Sequence, residues 1–250
     1  MSGFIVVIPA RMASERLPGK PLRDIGGQPM IGHVYAQARQ SGAAEVIVAT
    51  DAAEIQAVCQ GFGATVAMTS ASHASGTDRI AEVADQLDWP DSQIVVNVQG
   101  DEPLLPPALI DQVAGLLESD PAAGMATLMT PLADPAEYHD PNMAKVVSDQ
   151  SGAAIYFSRA PIPASRDGRV PATARRHIGL YAYRVGCLRL LAATAVAPPE
   201  AVERLEQLRA LWLGQRIAIA DASEAPPRGV DTEADLEFIR RVVSERAKDN

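Results

Sequence analysis

Residues 4–21 read FIVVIPARMASERLPGKP, and this stretch is the strongest indication of the fold because a short apolar run passes directly into a basic loop. Residues 4–8 are hydrophobic and mostly β-branched, as expected of a buried strand. The loop carries Arg11, Arg16 and Lys20. The chain has a formal net charge of -9, so it repels an anionic ligand at long range. Binding of such a ligand therefore requires a local cluster of positively charged side chains. We therefore predict that the loop binds phosphate; the alternative is a solvated basic turn.

The loop matches neither of the two commonest phosphate-binding motifs. A Walker A loop requires an upstream glycine and a Ser or Thr after Gly-Lys, whereas Pro21 follows Lys20 here. The dinucleotide fingerprint G-x-G-x-x-G is also missing after the first strand. The sequence therefore argues against a P-loop NTPase and against a dinucleotide-dependent hydride transfer.

The composition favours a single cytosolic domain with an insertion, although 250 residues would also accommodate two small domains. The two cysteines, Cys59 and Cys187, are too few for a four-cysteine zinc site and are expected to be buried thiols. No segment approaches the roughly 18 apolar residues of a membrane span. The acidic balance argues against duplex nucleic acid as a partner, which leaves small anions as ligands.

The first half of the chain alternates Val- and Ile-rich runs with segments of helical periodicity. Four runs predict strands: residues 4–8, 46–50, 64–68 and 94–99. This alternation is typical of an α/β fold with a largely parallel, doubly wound sheet. Ligands of such sheets bind outside the carboxyl ends of the strands, where we expect Arg11, Thr50 and Asp101.

The second half departs from this alternation. Residues 145–148 and 154–158 flank a polar turn and predict an inserted antiparallel β element. Residues 199–213 carry apolar side chains at helical spacing and predict one amphipathic helix. Its apolar stripe, which includes Leu205 and Leu208, needs a partner surface.

Seven motifs, in a fixed order, resemble one enzyme family. They are IPAR from Ile8, PGKP from Pro18, SGTDR from Ser75, NVQGDEP from Asn97, HIG from His177, LEQLR from Leu205 and GVDT from Gly229. The ordered set resembles the 3-deoxy-manno-octulosonate (Kdo) cytidylyltransferases, the CMP-Kdo synthetases of lipopolysaccharide synthesis, over nearly the whole chain. This resemblance implies that the sheet is Rossmann-like and of the nucleotide-diphospho-sugar transferase type.

The resemblance implies a reaction in which the anomeric hydroxyl of Kdo attacks the α-phosphate of CTP and expels diphosphate. The implied phosphate-binding residues are Arg11, Ser14, Arg16 and Lys20. The implied residues around the base and ribose are Ala10, Ser75, Gly76 and Arg79. Asp101 and Asp231 would bind Mg²⁺, which prefers one or two carboxylates together with phosphate oxygens. Lys20, Asp101 and Asp231 are thus the expected catalytic residues.

The sugar site and the assembly are expected from the same resemblance. The implied sugar-binding residues are Gln99, Arg159, Arg166, His177, Tyr181 and Glu206. Residues 1–130 and 215–250 would form the nucleotide-binding core of a single domain, and residues 131–214 an insertion for sugar binding and dimerisation. Members of the family are typically homodimers, and the expected location is the cytoplasm.

Two alternatives stay open. The first is a CMP-transferase for another acidic sugar, such as sialic acid or amino-Kdo, which residues beyond Lys145 would decide. The second is a non-catalytic nucleotide-binding module, against which the joint presence of Lys20, Asp101 and Asp231 argues. Asp231 also has a structural interpretation, because an aspartate before Thr232 is typical of a helix N-cap.

Overall fold

A computed structural model describes residues 3–13, 16–73, 75–227 and 229–246. Its strands are β1 (Ile5–Ala10), β2 (Asp24–Ile25), β3 (Gln28–Pro29), β4 (Glu45–Thr50), β5 (Thr65–Met68), β6 (Ile94–Asn97), β7 (Ala123–Pro131), β8 (Lys145–Ser148), β9 (Ala154–Ser158), β10 (Arg175–Arg184) and β11 (Arg216–Asp221). Its helices are α1 (Met30–Ala38), α2 (Ala53–Gly61), α3 (Gly76–Gln86), α4 (Pro107–Ser119), α5 (Pro135–His139), α6 (Val185–Ala192), α7 (Pro198–Glu203), α8 (Gln207–Trp212) and α9 (Glu233–Arg246). A short 3-10 helix, Lys20–Leu22, lies in the basic loop.

The chain divides into two compact units. The first comprises the described residues of 1–89, 95–111 and 226–250, and the second comprises residues 90–94 and 112–225. In the first unit a parallel sheet has the order β6-β1-β4-β5. Its central strand β1 places Val6 opposite Val46 on one side and Val96 on the other, all of them buried. The predicted α/β fold with a largely parallel sheet is therefore confirmed.

The second unit contains several antiparallel pairs, whereas in the first unit β2 and β3 form a separate two-stranded antiparallel sheet. β7 pairs antiparallel with β10 and parallel with β11. The hairpin β8–β9 has the predicted bounds, and β8 also pairs antiparallel with β10. The inserted antiparallel β element is confirmed.

An apolar cluster in the first unit joins the basic loop to the C-terminal helix. Its buried members are Leu17, Ile25, Met30, Leu104, Val230, Leu236 and Ile239. Leu17 comes from the basic loop, whereas Leu236 and Ile239 come from α9. The hydrophobic effect therefore holds residues from the two ends of the chain together in this unit.

The prediction of one helix over residues 199–213 is wrong. Arg204 has φ 52° and ψ 48°, a left-handed conformation that ends α7 before α8 begins. At this break the Arg159 guanidinium donates to the carbonyl oxygens of Glu203 at 2.6 Å and Arg204 at 3.3 Å, and so satisfies carbonyls that a continuous helix would pair internally. The expected stripe also divides, because Leu205 and Leu208 are buried within the unit whereas Val202 and Trp212 are exposed.

Gly100 gives the first testable prediction. A Cβ there would lie 2.9 Å from the Pro9 carbonyl oxygen, closer than backbone atoms allow. Gly100→Ala should destabilise the protein by about 1–3 kcal/mol in urea unfolding, because β1 or the segment after β6 must move. Gly115→Ala is the control, since Gly115 lies in α4 with nothing within 4 Å of its added Cβ and should gain about 0.5–1 kcal/mol. Equal effects of the two substitutions would contradict the close approach.

Candidate active site

Apolar contacts and a tight turn hold the basic loop in place. Leu17 is buried in the cluster that contains Val230 and Leu236. Gly19 has φ 65°, a left-handed conformation that glycine adopts without steric cost. The Lys20 N–H donates to the Leu17 carbonyl at 3.1 Å as the 3-10 helix begins. These contacts fix the backbone from which the Lys20 side chain extends.

Lys20 Nζ lies among three oxygen atoms from distant parts of the chain. It donates hydrogen bonds to Asp101 Oδ2 at 2.7 Å, to the Val230 carbonyl at 2.7 Å and to Asp231 Oδ1 at 3.1 Å. The three N–H bonds of the ammonium thus match three acceptors. The structure therefore brings Lys20, Asp101 and Asp231 together, as the sequence predicts.

The segment that carries Asp231 approaches Asp101 through the backbone. The Val230 N–H donates to the Asp101 carbonyl at 2.8 Å. A Cβ on Gly229 would lie 2.8 Å from Glu102 Oε1 and 3.3 Å from the Asp101 carbonyl oxygen. Any larger residue at position 229 would push the segment away, so glycine is required for this approach.

Asp231 does not cap helix α9, so its structural interpretation is wrong. Thr232 caps the helix instead: its Oγ1 accepts from the Asp235 N–H at 3.3 Å, and the Asp235 carboxylate accepts from the Thr232 N–H at 2.8 Å. The Asp231 carboxylate is left for cations and contacts Arg16 at 3.0 Å as well as Lys20.

These four side chains form a charge-balanced cluster, since two cations, Arg16 and Lys20, face two carboxylates. Burial lowers the pKa of Lys20, but the Asp101 carboxylate and the hydrogen bonds to both aspartates outweigh it and raise the pKa above the ordinary value of lysine. Lys20 is therefore charged at neutral pH. An added polyphosphate would compete with the carboxylates for both cations.

The donor set around Lys20 fits a magnesium ion. Carboxylate oxygens of Asp101 and Asp231 converge with a backbone carbonyl, and Mg²⁺ is bound by one or two carboxylates that leave room for water and phosphate. Among the described residues no group of three or more His, Cys, Asp and Glu side chains gathers to hold a metal. An ion held by Asp101 and Asp231 would share its coordination with water or a phosphate ligand.

Comparison with known proteins assigns the family. A sequence profile described as cytidylyltransferase matches residues 5–217. The 3-deoxy-manno-octulosonate cytidylyltransferase of Hahella chejuensis (strain KCTC 2396) is 54% identical over 252 residues, covering 98% of this chain and 99% of that protein. The chain belongs to the 3-deoxy-manno-octulosonate cytidylyltransferase family. The resemblance seen in the sequence is thereby confirmed, and the protein is a nucleotidyltransferase.

Solved structures agree with this family. The structure of a CMP:2-keto-3-deoxy-manno-octonic acid synthetase complexed with CTP superposes with a TM-score of 0.92 at 42% identity, covering 98% of this chain and 100% of that one. A 4-diphosphocytidyl-2C-methyl-D-erythritol synthase has a TM-score of 0.64 at 15% identity, covering 96% of this chain and 99% of that one. At that identity the second likeness shows the fold alone.

The residues that this cytidylyltransferase family implies around the nucleotide are in the first unit. Ala10 ends β1, with the exposed Arg11 directly after it, and Ser14 lies outside the described residues. Ser75 caps α3 through a capping box with Asp78, and a Cβ on Gly76 would lie 3.2 Å from Pro9. Arg79 is buried and hydrogen-bonds Thr69 and, at 3.1 Å, Asp51. These contacts give Arg79 a structural function, and its function in nucleotide binding stays a prediction.

The residues implied for the sugar occupy different environments. Gln99 is half-buried after β6 in the first unit, whereas the others belong to the second unit. Arg166 and Glu206 are exposed. The Arg159 guanidinium also donates to the Pro141 carbonyl at 2.8 Å, so all its nitrogens serve the backbone. Arg159 therefore has a structural function that the sequence did not predict.

His177 and Tyr181 on β10 face each other, with ring centroids 5.3 Å apart. Phe157 packs edge-on against His177 at 4.9 Å. Burial lowers the pKa of His177 to about 3 and raises the pKa of Tyr181 well above its ordinary value. Both rings are therefore neutral at pH 7, which agrees with a binding function rather than proton transfer.

His177 gives a prediction about stability and pH. Its pKa rises from about 3 in the folded protein to about 6.5 in the unfolded chain, so the unfolded state binds the extra proton and stability falls below pH 6.5. Between pH 7 and pH 5 the wild type should lose about 2 kcal/mol through this residue. In urea unfolding, the free energy of unfolding of His177→Gln should not fall by this amount between pH 7 and pH 5. Between pH 7 and 8 the free energies of the variant and the wild type should change equally. An unchanged loss in the variant would contradict the assignment.

Sequence reasoning missed residues whose function depends on distant contacts. The buried Lys145 donates to the carbonyl oxygens of Asp140 at 2.8 Å and Arg159 at 2.7 Å, and so fixes the backbone beside the hairpin. The hydroxyl of Thr127 hydrogen-bonds His177 Nε2 at 2.9 Å. The sequence does offer a signal for each residue: Lys145 is a lysine at the start of a strand, and Thr127 is a threonine within an apolar strand.

Proposed function

We propose that the protein catalyses transfer of CMP from CTP to 3-deoxy-manno-octulosonate, producing CMP-Kdo and diphosphate. The observation that carries the proposal is the convergence of Asp101 and Asp231 on Lys20, with Arg16 on Asp231. The structural relative with a TM-score of 0.92 is complexed with CTP, which supports CTP as the nucleotide. The name of the Hahella relative supports Kdo as the acceptor.

The mechanism is an in-line attack of the sugar's anomeric hydroxyl on the α-phosphate. Arg11, Arg16 and Lys20, together with Ser14, would bind the β- and γ-phosphates and neutralise the charge of the departing diphosphate. Asp101 and Asp231 would hold Mg²⁺, which polarises phosphate oxygens when it is bound. The carboxylates need a counterion once Lys20 and Arg16 turn to phosphate, since the cluster is neutral without ligand.

A panel assay tests the reaction. The protein would be incubated with CTP, Mg²⁺ and Kdo, amino-Kdo or sialic acid, while released diphosphate is measured. We expect turnover with Kdo at least ten times faster than with the other two sugars. Preferential turnover of sialic acid would show that sialic acid, and not Kdo, is the acceptor. Tight CTP binding without diphosphate release in the presence of any of the sugars would favour a non-catalytic module.

Arg16 gives a prediction for nucleotide binding. Arg16→Ala should weaken CTP affinity about 10- to 100-fold, because a charge-assisted contact with phosphate contributes about 1.5–3 kcal/mol. Calorimetric titration would measure the Kd, with Arg39→Ala as a control that removes the same charge from the end of α1. An affinity equal to that of the control would remove Arg16 from the phosphate site.

The cellular setting is part of the proposal. Across the described ranges no helix has both the length and the hydrophobicity needed to span a membrane. We place the reaction in the cytoplasm and its product in lipopolysaccharide synthesis, as the family resemblance implies. A homodimer is supported by large exposed apolar side chains of the second unit: Ile155 at 57%, Val202 at 85% and Trp212 at 62%. Sedimentation equilibrium would measure the assembly.

A further inference from the structure

The Thr127 hydroxyl lies within hydrogen-bonding distance of three groups of β10. It is 2.9 Å from His177 Nε2, 3.0 Å from the Ile178 carbonyl and 2.8 Å from the Leu180 carbonyl. Thr127 is fully buried. A hydroxyl has one proton to donate and two lone pairs to accept with. Both carbonyls can only accept, and donation to either of them leaves the hydroxyl oxygen as an acceptor, which matches an imidazole that donates its Nε2–H.

A β-bulge creates this arrangement. Ile178 lies opposite Leu128 and Tyr181 lies opposite Thr127, so Gly179 and Leu180 are extra residues on β10. In a regular strand two residues four positions apart are separated by about 13 Å. The bulge brings the rings of His177 and Tyr181 to 5.3 Å. Bulges are frequent beside active sites, where they redirect side chains.

We infer that Thr127 is a positioning residue that holds His177 in the Nε2–H tautomer, so that the unprotonated Nδ1 accepts a hydrogen bond from a hydroxyl of the sugar. The inference rests on the proposed function, in which His177 binds the sugar. The hydrogen bond to Thr127 engages Nε2, which leaves Nδ1 on the other side of the ring, and His177 is half-buried rather than fully enclosed. Burial keeps the ring neutral at pH 7, so Nδ1 stays an acceptor.

The inference has a consequence for specificity. A fixed acceptor favours a substrate with a hydroxyl at the matching position. A sugar that lacks this hydroxyl leaves a desolvated nitrogen without a partner, which costs more than the loss of a simple contact. Thr127 would thus contribute to the choice of sugar without touching it.

The tautomer can be measured without substrate. Ring nitrogen spectra of ¹⁵N-histidine-labelled protein at pH 7, with His177→Gln to assign the signal, should show a protonated Nε2 and a bare Nδ1. Thr127→Val should shift the signal toward the other tautomer, whereas Thr127→Ser, which keeps the hydroxyl, should restore it. A protonated Nδ1 in the wild type, or an unchanged tautomer in Thr127→Val, would overturn the inference.

Kinetics test the effect on substrate. Thr127→Val should raise KM for the sugar about ten-fold and leave KM for CTP unchanged, and Thr127→Ser should return the sugar KM to near the wild-type value. An unfolded Thr127→Val would be recognised by circular dichroism, and the ring-nitrogen spectrum of the wild type, in which a protonated Nδ1 overturns the inference, would then carry the test. If the tautomer shifts and the sugar KM does not, the acceptor role is overturned. If His177→Gln also leaves the sugar KM unchanged, the proposed sugar-binding function of His177 has failed while the tautomer assignment stands.

Discussion

Asp101→Asn is expected to lower kcat about a thousand-fold while the Kd for CTP stays within about three-fold of the wild-type value. The substitution keeps the size of the side chain and removes its charge. A carboxylate that holds a divalent cation contributes mainly through that cation, which stabilises the negative charge that develops as the α-phosphate is attacked. Its loss should therefore affect the transition state far more than the bound ground state.

The measurement separates binding from turnover. Diphosphate release gives kcat, and calorimetry with CTP and Mg²⁺ gives Kd. Asp111→Asn is the matched control. It makes the same chemical change at another aspartate, whose Oδ1 accepts a hydrogen bond from the Gly42 N–H at 2.7 Å. Losses of similar size in kcat and in CTP affinity would show that Asp101 serves binding alone.

The parts of the site predicted from sequence are those that the fold class fixes by itself. In a parallel sheet the carboxyl ends of the strands share one edge, so a strand followed by Asp101 and another followed by Arg11 could be placed without coordinates. The hairpin bounds were equally accessible, because alternation and the polar turn at residues 149–152 are local signals.

The rest depended on contacts between distant residues. Nothing near residue 204 in the sequence shows that Arg159 hydrogen-bonds its carbonyl where the helix ends. Similarly, Asp231 and Thr232 are both good N-cap residues, and only the position of Asp235 shows that Thr232 takes the cap. Local propensity therefore identified the candidates, and tertiary contacts assigned their functions.

The division of the chain into functional parts shows the same limit. The expected core of residues 1–130 and 215–250 includes β7 and β11, which belong to the second compact unit. The expected division concerned nucleotide and sugar binding rather than compactness. It stays a prediction until ligand contacts are measured.

Lys20→Met is expected to have opposite effects on turnover and on metal binding. Turnover should fall about 100-fold or more, since a cation that neutralises the departing diphosphate is lost. The ligand-free protein should bind Mn²⁺ about ten-fold more tightly, because the ammonium that contacts Asp101, Asp231 and the Val230 carbonyl no longer competes for these oxygens.

Paramagnetic resonance of free Mn²⁺ measures the second effect without any turnover. Arg23→Met is the matched control, because Arg23 lies in the same loop but pairs with Glu233 at 2.6 Å. Mg²⁺ should also raise the Tm of Lys20→Met more than that of the wild type, since the ion binds the folded state and relieves repulsion between the carboxylates. Equal or weaker Mn²⁺ affinity in Lys20→Met would show that the ammonium and the metal occupy separate places. The lysine would then be a permanent member of the site rather than a counterion that gives way to the metal.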